Sequence, residues 1–168
     1  MNTKKISMAG VLAALVFVAT FFIRIPIPVT EGYINLGDAV ILLCSMILGP
    51  FAAIPAAIGS GMSDLLAGYA HYIIPTVIIK GTMGLVAGVI ISRRNTVPLR
   101  LTAFVLAEII MVGGYFVYES FLYGVAASSA GILFNAIQGA GGIVVAAALS
   151  CVSFLRKRDN MLLEAKNK

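Results

Sequence analysis

One lysine lies in the middle of a long apolar segment, and its charge needs a partner. Lys80 is flanked on both sides by apolar or small residues in HYIIPTVIIKGTMGLVAGVII, residues 71–91. An ammonium group inside a lipid bilayer is costly and usually contacts an acidic side chain, a polar cavity or a ligand. Glu108, in the next apolar segment, is a candidate partner. The pattern predicts a ligand-binding lysine at the floor of a pocket. The alternatives are a structural ion pair with Glu108 and a lysine that extends toward the membrane surface.

Further polar side chains recur at helical spacing in the neighbouring apolar segments. Asp64 follows Ser60 by one turn, and Asn135 and Gln138 lie three residues apart, so each pair shares a helix face. A few directed polar groups among apolar walls are typical of a small-molecule pocket. Each group also has a structural alternative, as an interhelical hydrogen bond, a loop cap or part of an aromatic belt. The predicted substrate-binding residues are Lys80, Glu108, Tyr115, Asn135, Gln138, Asp64 and Asn35.

The residue types do not favour catalysis. The sequence has one histidine and two well-separated cysteines, so it has no His/Cys cluster with zinc-ligand spacing. It also lacks the G-x-x-x-x-G-K-[ST] nucleotide-binding loop and the G-x-S-x-G serine motif. We therefore expect a binding function without a metal or cofactor, and not an enzyme.

The elements that must position these groups are membrane-spanning helices. Of the 168 residues, 60% are hydrophobic and 11% are charged, whereas soluble domains carry about a quarter charged residues. Residues 36–49 are apolar but short, and Gly49-Pro50 ends them, so they form either a short crossing or a re-entrant piece. The predicted fold is all-α, one membrane domain over residues 1–168. The longer apolar segments lie near 6–23, 50–67, 72–92, 98–118 and 130–155.

The distribution of basic residues decides the number of crossings and their orientation. Basic residues occur before the first segment, within 93–100 and throughout 156–168, whereas the opposite loops contain only Arg24. Cytoplasmic loops of membrane proteins are enriched in Lys and Arg. Both termini are therefore predicted to be cytoplasmic, which requires an even number of crossings. If 36–49 is a crossing, the chain has six transmembrane helices.

In this topology most polar side chains fall in the outer half of the membrane, and the inner half is nearly free of them. A channel or a proton relay would place polar groups along its whole length. The asymmetry instead predicts a pocket that opens to the outside, lined by the third to sixth helices and covered by the 24–37 loop.

Small residues four positions apart in the first segment predict a close helix contact. Ala9 and Ala13 form one such pair, and Gly10 and Ala14 form another. Small residues at this spacing let two helix backbones approach each other. The pattern alone does not distinguish packing inside the protein from contact with a partner.

Several stretches, in their order and spacing, resemble the substrate-binding S component of energy-coupling factor (ECF) vitamin transporters. They are MAGVLAAL (8–15), INLGDAVILL (34–43), LGPFAAIPAAIGSGMSDLLAG (48–68) and PTVIIKGTMGLVAG (75–88), and they cover about half of the chain. The resemblance implies a six-helix fold that binds a water-soluble vitamin or precursor from outside, with the first interhelical loop as a lid. It also implies a prokaryotic cell membrane, a membrane scaffold subunit and two cytoplasmic ATPase subunits. Ala9 and Ala13 would contact the scaffold.

The resemblance is nearest to the hydroxymethylpyrimidine and pyridoxine branch of that family. Thiamine-binding members stack their ligand on tryptophan, and this chain has no tryptophan. A hydroxymethylpyrimidine-like or pyridoxine-like ligand is therefore favoured, with riboflavin or a queuosine precursor as alternatives. A stand-alone secondary transporter or channel is the second hypothesis, and it would require polar groups at the midplane and below. The third hypothesis is an intramembrane enzyme that uses Glu108 and Lys80, and the last is a structural membrane protein.

Overall fold

The computed structural model describes the backbone of residues 3–27 and 32–166 and the side chains of residues 3–27 and 32–151. Two short strands follow the first helix, and single 3-10 turns at Gly49–Ala52 and Ala70–Tyr72 precede the third and fourth helices. The helices are α1 (Thr3–Phe22), α2 (Gly37–Leu48), α3 (Ala53–Ala67), α4 (Ile73–Arg93), α5 (Val97–Tyr123) and α6 (Val125–Lys166); the strands are β1 (Arg24–Pro26) and β2 (Tyr33–Asn35). The predicted helical architecture is confirmed, and the β-hairpin is an addition that the sequence did not predict.

Five helical segments of the described residues are long and apolar enough to cross a membrane. Many large apolar side chains on their surfaces face outward: Val11, Ile78 and Ile109 are 70%, 62% and 60% exposed. A water-soluble bundle rarely exposes so much contiguous apolar surface, whereas lipid solvates it. The segments are Thr3–Phe22, Gly37–Ala67, Ala70–Arg93, Val97–Tyr123 and Val125–Cys151.

The segment Gly37–Ala67 is a helical hairpin and not one long helix. Gly49 has a φ of 60°, in the left-handed region that glycine adopts without a steric penalty, and Pro50 has no N–H for a continuing helix. The chain reverses direction at this break. Tyr33, just before α2, donates a hydrogen bond of 2.5 Å to Asp64, near the end of α3, so the start of α2 and the end of α3 lie side by side. The helix break predicted at Gly49-Pro50 is therefore present, and α2 is a short separate helix.

Glycines of α4 allow this turn to pack closely against the centre of the bundle. A Cβ atom added to Gly88 would lie 2.1 Å from the carbonyl oxygen of Gly49, and one added to Gly84 would lie 2.8 Å from that of Ala52. Both neighbours are backbone atoms, which cannot rotate away. Helix α4 also packs against α2, α3 and α5, so it fixes the positions of most other helices.

Residues 24–27 and 32–35 form an antiparallel hairpin where the sequence predicted a covering loop. Arg24 pairs with Asn35 and Pro26 with Tyr33, and the N–H of Ile27 donates to the carbonyl of Gly32 at 2.8 Å. Alternate residues of a strand share a face, so Tyr33 and Asn35 project to the same side. Both contact the helices, Tyr33 through Asp64 and Asn35 through Gln138. We refer to this end of the bundle as the hairpin end.

The close approach between Gly88 and the Gly49 turn gives a test of the fold. Gly88→Ala should lower the stability of the detergent-solubilised protein by about 1–3 kcal/mol or more, because the added methyl group overlaps backbone atoms. Thermal unfolding followed by circular dichroism measures the change. Gly113→Ala is the matched control, since a Cβ there meets nothing within 4 Å. Equal melting temperatures for the two variants would contradict this packing.

Candidate ligand-binding site

A partly enclosed cavity lies beneath the hairpin. All of the predicted binding residues except Glu108 line it, namely Lys80, Tyr115, Asn135, Gln138, Asp64 and Asn35. The lining residues that were not predicted are Thr20, Gly32, Tyr33, Ser60, Tyr69, Tyr72, Thr76 and Glu119. The lining residues as a whole come from α1, the hairpin, α3 to α6 and the turn between α3 and α4. The cavity is therefore bounded by more of the chain than the third to sixth helices.

Lys80 forms an ion pair with Asp38 in the interior of the bundle. Its Nζ atom donates to Oδ1 of Asp38, and the Lys80 side chain is 2% exposed while that of Asp38 is fully buried. The Nζ atom also lies 5.5 Å from the ring centroid of Tyr115, within the range of a cation–π contact. The alternative of an ion pair between Lys80 and Glu108 is therefore wrong: Asp38, in the first turn of α2, takes that place.

Gln138 extends this ion pair to the hairpin. Its Nε2 atom donates to the second carboxylate oxygen of Asp38 at 2.5 Å, and its Oε1 atom accepts from the backbone N–H of Asn35 at 2.8 Å. The Asn35 side chain in turn accepts from the N–H of Gly37 at 2.9 Å. We call Lys80, Asp38, Gln138 and Asn35 the Asp38 network. It connects α2, α4, α6 and the hairpin through one carboxylate.

Other polar atoms around the cavity have no such partners. Oδ1 of Asp64 accepts from the phenol of Tyr33, and burial raises the pKa of Tyr33 well above its usual range, so this phenol keeps its proton and donates. Among the described residues, no hydrogen-bond partner contacts Oδ2 of Asp64, Oγ of Ser60 or Oγ1 of Thr20, although all three atoms are buried. We call Thr20, Ser60 and Asp64 the open polar side of the cavity.

Tyrosine rings form much of the remaining wall. The rings of Tyr33 and Tyr69 lie 5.1 Å apart, and those of Tyr72 and Tyr115 lie 6.2 Å apart. The Tyr72 hydroxyl donates to Glu119 at 3.1 Å. Tyr72, Thr76 and Lys80 follow one another at spacings of four, which is the period of one helix face, and Tyr69 precedes them in the turn before α4. That spacing was readable in the sequence and could have identified these residues.

Glu108 lies outside the cavity. It faces α6, where Cβ atoms added to Gly139 and Gly142 would lie 3.0 Å and 3.2 Å from its carboxylate oxygens. Neither oxygen has a hydrogen-bond partner among the described residues. Glu108 lines a separate apolar groove between α5 and α6, together with Val105, Ile109, Val112, Gly113, Ala136, Gly139, Ala140 and Ile143. Within the described part of the chain, no group of three or more His, Cys, Asp or Glu residues is arranged to hold a metal ion.

Sequence comparison places this bundle and its cavity in a known family. A profile of the S component of the ECF-type riboflavin transporter matches residues 1–154. The chain belongs to the family of ECF transporter S components. This is a family of multi-pass transporter components for vitamins and their precursors, and not of enzymes.

Two relatives illustrate the range of the family. The thiamine precursor transporter HmpT of Lactococcus lactis subsp. cremoris is 33% identical over 151 residues, which cover 89% of this chain and 87% of HmpT. An uncharacterised protein of Pyrococcus woesei is 33% identical over 150 residues, covering 89% of this chain and 99% of the relative.

Solved structures show the same fold at lower identity. An S component of a bacterial ECF transporter superimposes with a TM-score of 0.72 at 23% identity, covering 96% of this chain and 99% of that one. FolT bound with folic acid superimposes with a TM-score of 0.66 at 23% identity, covering 87% and 93%. The S-component fold is therefore established for this chain.

The buried ion pair gives a test of the site's architecture. Lys80→Met should destabilise the protein by about 3–5 kcal/mol, because it leaves the Asp38 carboxylate buried without its cation. Adding Asp38→Leu in the same chain should restore a large part of that loss, since no uncompensated charge then remains. Urea or thermal unfolding of the single and double variants measures the coupling. Strictly additive effects of the two substitutions would show that the pair does not form.

Proposed function

We propose that this S component is the high-affinity binding subunit of an ATP-driven importer and that it captures a hydroxymethylpyrimidine-like or pyridoxine-like vitamin precursor. The observation that carries the proposal is the cavity under the hairpin, whose walls combine tyrosine rings with a few directed polar groups. A heteroaromatic ring fits such a site by stacking and by hydrogen bonds. The relationship to HmpT, named as a thiamine precursor transporter, supports the choice of ligand.

The ligand would contact Lys80, Tyr115, Asn135, Gln138, Asp64 and Asn35, the predicted residues that line the cavity. Glu108 is excluded from this set, because it lines the groove between α5 and α6 instead. The Asp38 network gives Lys80, Gln138 and Asn35 fixed positions before the ligand arrives. Preorganised polar groups bind more tightly than mobile ones, since less conformational freedom is lost on binding.

The proposed topology has six crossings, with both termini in the cytoplasm of a prokaryotic cell and the hairpin end outside. The reversal at Gly49 supports it, because α2 and α3 then count as separate crossings. The basic residues of 93–100 follow α4 at the end remote from the hairpin, as an inward-facing loop requires. Buried side chains farther along α4, such as Met83 and Ile91, are apolar, whereas α5 buries Glu108 and Arg100. Two separate charged residues do not form a continuous polar path, so a stand-alone transporter with such a path has less support.

The proposed partners are a membrane scaffold subunit and two cytoplasmic ATPase subunits, which would supply the energy for import. On α1, Ala9 and Ala13 are half-buried, whereas Gly10 and Ala14 are exposed. A partner helix that approached the Ala9/Ala13 pair would lie against this small-residue surface and close to the groove between α1 and α3.

The ligand proposal predicts selective stabilisation of the purified protein. Hydroxymethylpyrimidine or pyridoxine should raise the melting temperature in detergent, because a ligand that binds only the folded state stabilises it by mass action. At 100 times its Kd the ligand adds about 2.7 kcal/mol. Riboflavin and thiamine at the same concentration serve as comparison ligands. A larger shift with riboflavin than with either favoured ligand would refute this choice of substrate.

The partner proposal predicts that binding and assembly can be separated. Ala9→Trp or Ala13→Trp should abolish co-purification with the scaffold subunit, since the indole fills the space that a partner helix needs, while ligand-induced stabilisation persists. Pull-down from cells that co-express the subunits measures assembly. Ile109→Trp, which adds the same indole to an exposed position of α5, is the control. Loss of both assembly and ligand binding would mean that the pair packs inside the protein instead.

A further inference from the structure

We infer that Asp64, assisted by Ser60 and Thr20, selects ligands that carry an N–H donor and excludes ligands that carry a carboxylate. This inference rests on the proposed function and specifies the chemistry of the ligand. It follows from which polar atoms around the cavity already have partners within the protein and which do not.

The cationic group of the cavity is already neutralised. Lys80 donates to Asp38, and Gln138 holds the other oxygen of the same carboxylate. An anion that contacted Lys80 would either displace Asp38 and strand a fully buried carboxylate, or share the ammonium with it and leave two negative charges beside one positive charge. Losing one partner of a buried ion pair is strongly destabilising, because the remaining charge stays buried without compensation. An anionic ligand therefore cannot use this lysine without a large opposing cost.

The other ionisable carboxyl groups of the cavity repel an anion. Asp64 and Glu119 both line it, and among the described lining residues Lys80 is the one side chain with a permanent positive charge. With Lys80 committed to Asp38, the remaining formal charge of the lining is negative. The tyrosine rings add negative π-faces, which attract cationic or electron-poor rings.

The open polar side contains oxygen atoms that can accept hydrogen bonds and that need a donor from the ligand. Oδ1 of Asp64 receives a hydrogen bond from Tyr33. Oδ2 is buried and receives no hydrogen bond of normal geometry from the described residues, and the nearby Thr76 hydroxyl bonds Tyr115 at 3.0 Å. Ser60 lies one turn before Asp64 on α3, and its Oγ atom also lacks a partner there. A buried carboxylate oxygen without a hydrogen bond is costly, so a ligand N–H that meets it recovers that cost. Amino-substituted azines, which present an N–H beside a ring nitrogen, have the required chemistry.

Paired ligands provide the test. Isothermal titration of the whole protein in detergent would compare hydroxymethylpyrimidine, which carries a 4-amino group, with the same ring carrying a 4-methyl group, which is similar in size and has no N–H. The wild type should bind the amino ligand about 10-fold to 100-fold more tightly, the range for a hydrogen bond to a charged group. Asp64→Asn should reduce this preference to a few-fold or less. Glu108→Gln makes the same carboxyl-to-amide change outside the cavity and should retain the preference for the amino ligand.

A second variant covers the case in which Asp64→Asn does not fold. Ser60→Ala removes a hydroxyl that has no partner among the described residues, so the protein should remain stable while its affinity for the amino ligand falls several-fold. Unchanged affinity in Ser60→Ala, or an unchanged preference in Asp64→Asn, would overturn the inference.

Nicotinic acid and nicotinamide extend the test to the charge of the ligand. Nicotinic acid, which carries a carboxylate, should bind no more tightly than nicotinamide. If a carboxylate-bearing ligand binds best, the Asp64 inference fails but the vitamin-binding function stands. If no ligand of the panel binds to the wild type, the proposed substrate class fails and the inference fails with it.

Discussion

The buried ion pair between Lys80 and Asp38 is the interaction on which the rest of the structure depends. Neither charge has water available inside an apolar bundle, so each requires the other. The pair joins α2 to α4. Gln138 binds the second oxygen of Asp38 and also accepts from Asn35 of the hairpin. A single carboxylate therefore fixes both the floor of the cavity and the position of the hairpin above it.

Hydropathy and charge were sufficient to predict the helices and the lysine that needs a partner, but not which carboxylate would meet it. Glu108 and Asp38 are both acidic residues on helices that neighbour Lys80. The choice depends on how far α2 and α5 are rotated about their axes, which close backbone contacts determine. Gly88 allows the Gly49 turn to pack against α4, and Gly139 leaves room for the Glu108 side chain against α6. Such three-dimensional contacts leave no periodic signal in a single sequence.

The hairpin escaped prediction for a different reason. Pro26 and Pro28 lie within residues 24–37, and proline usually indicates a loop because it cannot donate to a strand ladder. In the structure Pro26 is at the end of a three-residue strand, where one missing donor is tolerated. Without the strand, nothing in the sequence indicated that Tyr33 and Asn35 project from the same face, which follows from the two-residue period of a strand. Tyr72 and Thr76, by contrast, share a helical period with Lys80 and could have been identified.

The fold itself does not determine the ligand. FolT, bound with folic acid, shares this architecture at 23% identity, so specificity must come from side chains that line the cavity. In this chain those side chains also hold the hairpin: Tyr33 contacts Asp64 on one side, and Asn35 contacts Gln138 on the other. Both contacts anchor the hairpin to the helices through side chains that also line the cavity. A substitution of Asp64 or Gln138 therefore changes the wall of the cavity and the anchoring of the hairpin together.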